Sequence, residues 1–162
     1  RLAKALVEKG HERICFVGTT VPGLTTVDER LSGFQRALRE AGMDCDDQPA
    51  LYADHASDAF AHLLNERMAR QARPTGFVCT NDHLARRLAG RLQSLGHSIG
   101  DSAAIATVYD DYPSEAEEVP MITVTQDAHA IGLRSAELLM ARIEQPDRPV
   151  QQVFLKAGSV RS

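Results

Sequence analysis

The chain has 162 residues, 43% of them hydrophobic and 25% charged, with a formal net charge of −4. This is enough chain for one core of ordinary domain size, in the composition range of soluble globular proteins. A net acidic chain has no basic face to neutralise phosphates, which argues against nucleic acid as a direct partner of this segment; no apolar run approaches the ~20 residues of a membrane-spanning helix.

Arg1 to Gly10 reads as a helix, with Leu2, Leu6 and Val7 on one face and Gly10 as its stop. Because the first residue is Arg rather than Met, the chain is expected to be part of a longer protein. Arg13 to Val17 is a continuous apolar run of the kind found in buried parallel strands. A polar turn from Thr19 to Thr25 leads to a helix opened by Thr26-Val-Asp-Glu29, a capping-box pattern. Val27, Leu31, Phe34 and Leu38 form its apolar stripe, and Gly42 ends it. Gly33 on this helix is expected to let it lie close to a neighbour, and Arg30 to point from its first turn at the end of the sheet.

Pro49 to Tyr52 predicts a strand, and Ser57 to Gln71 an amphipathic helix with Ala59, Phe60, Leu63, Leu64 and Met68 on or near its inner face. A short strand, Phe77 to Cys79, is followed by a helix from Asp82 to Leu95. That helix buries Leu84, Leu88, Leu92 and Leu95, exposes Arg86, Arg87 and Arg91, and stops at Gly96. Ala103 to Val108 and Met121 to Thr125 are further strands. Gln126-Asp127 cap a helix reaching Glu144, with Ile131, Ala136, Leu139 and Ile143 inward, and Gln151 to Lys156 closes the chain as a strand. The order β-α-β-α-β-α-β-β-α-β predicts an α/β fold, a mostly parallel sheet with helices on both faces. The three cysteines, Cys15, Cys45 and Cys79, are odd in number and lack metal-ligand spacing, which favours a reducing, cytoplasmic setting.

The stretch Thr75 to Ala85 carries the functional expectation. Its strand runs into Asn81-Asp82 and at once into a helix, and ligands of open α/β sheets sit just outside the carboxyl ends of such strands. The corner places an amide and a carboxylate at that mouth; the plainer reading is that Asn81 or Asp82 is only a helix cap. Arg30, Asn81 and Asp110 come from different strand–helix corners and converge on one mouth. A cationic fork, an amide and a carboxylate suit a small polyhydroxylated molecule. Catalytic readings find less. No Cys-His or Ser-His-Asp set can be placed at neighbouring strand ends, and Gly18 to Gly23 has neither dinucleotide-binding nor P-loop spacing. A metal site on Asp110-Asp111 would have to recruit Asp54 and Asp82.

Gly10-His-Glu-Arg-Ile14, Arg30-Leu-Ser-Gly-Phe34 with Ala37-Leu38, Thr80-Asn-Asp-His-Leu-Ala85, Tyr109-Asp-Asp111, Pro120 with Thr123-Val-Thr-Gln126, Ile131-Gly132 and Val160-Arg-Ser162 occur in this order and spacing. Taken together they resemble the lac repressor/gal repressor family of bacterial transcription regulators over almost the whole chain. The resemblance implies a periplasmic-binding-protein-like (type I) fold. It also implies that residues 1–162 are the C-terminal lobe of a sugar-type effector-binding domain plus the final segment of the other lobe, with the helix-turn-helix and most of the first lobe absent. Arg30, Asn81 and Asp110 would contact the effector. Gln126 would line the cleft, and Tyr52 or Asp54 would stand near a position the family usually fills with an aromatic. Leu84, Arg87, Val119 and Pro120 would lie at a homodimer interface. The effector would be sugar-like, operator DNA would be bound through a domain absent from this chain, and neither cofactor, metal nor membrane would be involved. Val108 stands where the family usually has Gly, and Gly100 where it usually has Pro. The rival reading is a periplasmic sugar-binding receptor of a transport system. A chain holding only this lobe is expected to expose apolar surface around the helix from Asp127 to Glu144.

Overall fold

The computed structural model of the chain describes residues 1–19, 25–53, 59–110 and 119–161. In chain order the elements are α1 (Leu2–Glu8), β1 (Ile14–Thr19), α2 (Thr25–Glu40), β2 (Ala50–Ala53), α3 (Ala59–Met68), β3 (Gly76–Cys79), α4 (Asp82–Ser94), β4 (Ala104–Asp110), β5 (Ile122–Gln126), α5 (Ala128–Glu144) and β6 (Val160–Arg161). The strands form one six-stranded sheet in the order β2-β1-β3-β4-β5-β6. The first five run parallel, and only β6 pairs antiparallel, on β5. All five parallel strands therefore finish on one edge, the edge where the expected mouth lies.

Each face of the sheet has its own core, because successive strand residues point to opposite sides. Cys15, Val17, Phe77, Cys79 and Ile105 face α3 and α4, where they meet Phe60, Leu64, Leu84, Leu88 and Leu92. Ile14, Phe16, Val78, Ala106 and Val124 face α1 and α2, where they meet Leu2, Leu6, Val27, Phe34 and Leu38. The apolar stripes of α2 and α4 follow the 3.6-residue period, and glycines at positive φ, Gly42 (73°) and Gly96 (83°), stand just beyond their ends. Gly18 in β1 has a packing reason: a Cβ there would come within 3.0 Å of the Phe16 ring and 3.2 Å of Val27.

Several expectations are corrected. Thr26 lies inside α2, which starts at Thr25, so it cannot be the N-cap, which sits just outside the helix with non-helical dihedrals. Arg30 accordingly falls beyond the first turn. Ala59 and Leu63 point to solvent, because the inner face of α3 is the i, i+4, i+8 row Phe60, Leu64 and Met68. Leu95 is the exposed C-cap residue of α4. Gln151 to Lys156 is not a strand, since none of its residues pairs with a described strand; the last strand is the two-residue β6. Gly33 has no close neighbour: a Cβ built on it meets nothing within 4 Å. The polar turn expected from Thr19 to Thr25 falls largely on residues 20–24, outside the described residues.

The expected inward residues of α5 are not covered by any of the described residues. No residue of α5 is buried, and Ile131 (43%), Leu139 (60%) and Ile143 (62%) are exposed, as are Val150 and Phe154 beyond it. Asp127 does cap the helix, its Oδ1 accepting from the Ala130 N–H at 2.7 Å.

At the opposite edge of the sheet, His11 is half-buried beneath Gly76, its Nδ1 2.9 Å from Thr75 Oγ1. Burial, then the nearby Lys9 charge, lowers its pKa below the ordinary value of 6.5. A lowered pKa means the unfolded chain takes up the proton first, so stability falls as pH drops below about 6.5 and stops falling once the folded form protonates too. The melting temperature should decline over that window in the wild type and decline less in His11→Gln; equal slopes would refute the assignment to His11.

Candidate functional site

The mouth is built by the β3–α4 corner. Backbone pairing carries β3 to Cys79, and Thr80 continues the ladder by donating its N–H to the Val17 carbonyl at 3.0 Å. Asn81 then turns the chain in an extended conformation (φ −152°, ψ 166°), and its Oδ1 accepts from the Leu84 N–H at 2.9 Å. Asn81 is thus the N-cap of α4. The cap uses the amide oxygen, and the amide nitrogen, with its two donors, plays no part in it. Capping and ligand contact are compatible uses of one side chain.

Asn81→Asp keeps the capping oxygen and removes the donors, whereas Asn81→Ala removes both. Asp should hold stability within a few tenths of a kcal/mol, while Ala should cost about 1 kcal/mol. Thermal melting of both variants checks this, and equal losses would show that the cap bond contributes nothing.

Arg30 reaches the same corner from α2. Its Nη1 donates to the Thr80 carbonyl at 2.6 Å, a charge-assisted bond across 50 residues of sequence. Arg30 and Asn81 are therefore brought together on either side of Thr80. On the next strands outward, Asp110 is the last residue of β4 and stands in register with Gln126, the last of β5. Tyr52 sits on edge strand β2, opposite Gly18, with its ring 6.2 Å from that of Phe16. Partial burial, and then the Asp28 carboxylate, raise its phenol above its ordinary pKa of 10. Asp54 lies outside the described residues, as does Asp111.

Sequence reasoning did not single out Thr80, the residue whose carbonyl accepts from Arg30. Its side chain is 2% exposed, and its Oγ1 has no hydrogen-bond partner among the described residues. The signal was available in part: strand alternation from Val78 puts Thr80 on the α1/α2 side, facing Arg30. Thr19, at the end of β1, likewise buries a hydroxyl with no such partner.

The thiols are poor candidates for chemistry. Burial pushes Cys15 up to about 12 and Cys79 higher still, so neither supplies a thiolate near neutral pH. A groove at the far end of α5, lined by Leu139, Arg142, Pro149 and Val150, lies away from the mouth.

Of the residues expected at a dimer interface, Leu84 is ruled out: it is fully buried in the α4 core and offers no side-chain surface. Arg87 lies over the Phe60 ring at 5.6 Å, a cation–π arrangement within the chain. Val119 packs partly against the α3/α4 core, and Pro120 is exposed. The other helix arginines are also engaged: Arg86 Nη2 lies 2.7 Å from Asp82 Oδ2, and Arg91 donates from Nε to Asn65 Oδ1 at 3.0 Å.

A mostly parallel sheet with helices on both faces, its parallel strands all ending on one edge beside Arg30 and Asn81, is the fold of the periplasmic-binding-protein class. The periplasmic binding protein-like domain family matches residues 3–161, and the chain belongs to that family. Among curated relatives, the HTH-type transcriptional repressor PurR of Vibrio atlanticus is 29% identical over 144 residues, covering 89% of this chain and 43% of its own length. The HTH-type transcriptional regulator CelR of Thermobifida fusca is 28% identical, covering 92% of this chain and 44% of its own length. The chain thus spans less than half of these relatives. Among solved structures, a LacI family transcriptional regulator from Enterococcus faecium with bound ribose superposes with a TM-score of 0.82 at 25% identity, over 99% of this chain and 58% of that one. A CelR–cellobiose complex gives 0.82 at 25% identity, over 99% and 48%. The resemblance to lac repressor-type regulators, drawn from short ordered motifs, thus holds over the whole chain. No described helix is long and apolar enough to cross a membrane.

Proposed function

We propose that this chain is the effector-binding and dimerisation part of a bacterial transcriptional regulator, binding a small polar ligand of sugar type. The observation that carries the reading is the bracing of the β3–α4 corner by Arg30, which holds donors of two elements at the carboxyl edge of a parallel sheet. Arg30, Asn81, Asp110 and Gln126 are the proposed ligand contacts, with Tyr52 and Asp54 at the rim. The site binds and does not turn over: its groups orient hydroxyls, and the buried thiols are inert. Relatives that are themselves transcriptional regulators support this reading over a transport receptor, and with it a cytoplasmic protein.

The uncovered apolar side of α5 and of residues 150–155 is the surface that packs on a second lobe in the longer protein; exposing so much apolar surface is unusual for a finished domain. Ligand held between the lobes favours one lobe orientation, and so shifts how an attached DNA-binding module sits on its operator. This requires different ligand affinity in the two orientations. The partner copy in a homodimer is met along α4 near Arg87 and at Val119-Pro120.

The test is a thermal-shift screen of the full-length protein against pentoses, hexoses, disaccharides and their phosphates. A ligand that binds the folded state raises the melting temperature by mass action. The expected result is a hit that vanishes in Asp110→Ala. A hit indifferent to that change would move the site elsewhere, and no hit would sink the sugar-type reading.

A further inference from the structure

Asp127 to Lys156, which carry α5 and the exposed apolar residues beyond it, contain no buried residue. The chain leaves the sheet after Gln126, the last residue of β5, and becomes half-buried again at Ala157 and Gly158. The outgoing and returning chains touch. The Gly158 N–H donates to the Thr125 carbonyl at 3.0 Å, two residues before β6 pairs antiparallel with β5. Arg1 also holds the returning chain, its Nη1 donating to the Ala157 carbonyl at 3.3 Å. Gly158 is set apart by space rather than by backbone conformation. Its φ lies outside the positive region that favours glycine, yet a Cβ there would overlap Thr125 Oγ1 and come within 3.3 Å of the Thr125 carbonyl oxygen. Any side chain at this position has to push the two crossing chains apart. Gln126, a proposed ligand contact, is the next residue and stands in register with Asp110, so the crossing adjoins the mouth.

We propose that the Gly158–Thr125 contact is the pivot on which the α5-bearing part of the protein turns against the sheet, and that Gly158 is a positioning residue for the ligand response. Hinges are a few residues at element ends that absorb a change of φ and ψ. Two chains crossing in direct backbone contact, with no side chain between them, make such a point. Residues 127–156 have no buried side chain to fix them to the sheet, so the packing of the crossing sets their angle. A side chain at 158 would wedge the crossing open. It would tilt α5, and the lobe α5 packs on, away from the angle at which both lobes serve one ligand. The inference rests on the effector-binding reading above and names the contact through which ligand binding reaches the second lobe.

The test compares Gly158→Ala, Thr125→Ala and the double variant with wild type, all in the full-length protein. Calorimetric titration with D-ribose, D-glucose and cellobiose, well below the melting temperature, reads the affinity of the folded protein. Small-angle X-ray scattering without ligand reads how the lobes stand. Gly158→Ala should weaken binding roughly tenfold, within the ~5–150-fold range of coupling between sites, and should shift the ligand-free scattering profile. Thr125→Ala alone should bind as wild type does. In the double variant the Thr125 hydroxyl is gone and only the 3.3 Å carbonyl contact remains, so affinity and profile should return most of the way. A lower melting temperature in Gly158→Ala with affinity and profile unchanged would mean a merely structural glycine and would overturn the inference. A loss of affinity that Thr125→Ala does not relieve would overturn it too, because the crossing would not be the cause. Should Gly158→Ala fail to fold, recovery in the double variant supports the inference and lack of recovery overturns it. If no probe binds wild type, the effector reading falls, while the ligand-free profiles still decide for or against the pivot.

Discussion

Phe77→Ala is expected to destabilise the protein by about 3–5 kcal/mol, the range for removing a buried phenylalanine from a packed core. Phe77 is fully buried in β3, the strand flanked by β1 and β4, and its ring is part of the core shared with α3 and α4. The substitution opens a cavity that the strand cannot close, because β3 is held in register on both sides. For a domain of this size such a loss lowers the melting temperature by roughly 6–20 °C. Since β3 delivers Thr80 and Asn81 to the mouth, ligand response should weaken together with stability. Thermal melting against wild type checks this, and a fall of only a degree or two would show that the core can collapse around the gap.

Arg30→Ala should have the larger effect on binding. The guanidinium donates to the Thr80 carbonyl and, in the proposed site, to the ligand, so its removal costs one hydrogen bond of each kind. Bonds from charged donors contribute about 1.5–3 kcal/mol, which corresponds to a fall in ligand affinity of roughly 10- to 150-fold. Arg30→Lys should recover little, because an ammonium presents a point charge where a planar fork is needed to serve two acceptors. Calorimetric titration of the full-length protein with any hit from the thermal screen measures the loss. Unchanged affinity in Arg30→Ala would place the ligand away from the β3–α4 corner.

Each prediction draws on a different layer of information. The importance of Phe77 could be read from its place in a short apolar run bounded by Gly76 and Thr80, as could the pairing of apolar stripes on α2 and α4 with a buried sheet. The link from Arg30 to Thr80 could not. The sequence suggested that Arg30 and Asn81 lay near one mouth, but a bond to Thr80 across 50 residues depends on the order of β1 and β3 in the sheet and on where α2 crosses it.

Local chemistry, legible in the chain itself, determined the alternation of strands and helices, the parallel sheet, the caps at Asn81 and Asp127, and the glycine stops. Periodicity and capping act over a few residues, and a few residues suffice to read them. Tertiary structure decided the rest. Leu84, expected to face a partner, is sealed in the core, because α4 turns that face onto the sheet. Gln151 to Lys156, read as a strand, forms none, because a strand exists only by pairing and no described strand pairs with it. The apolar residues of α5 were read from periodicity, their exposure was expected from the family resemblance, and packing shows that the described residues leave them uncovered. Gly33 was expected to admit a close neighbour and has none, and Thr80 was not singled out although its carbonyl holds Arg30; both outcomes are properties of the tertiary arrangement, and no local pattern encodes them.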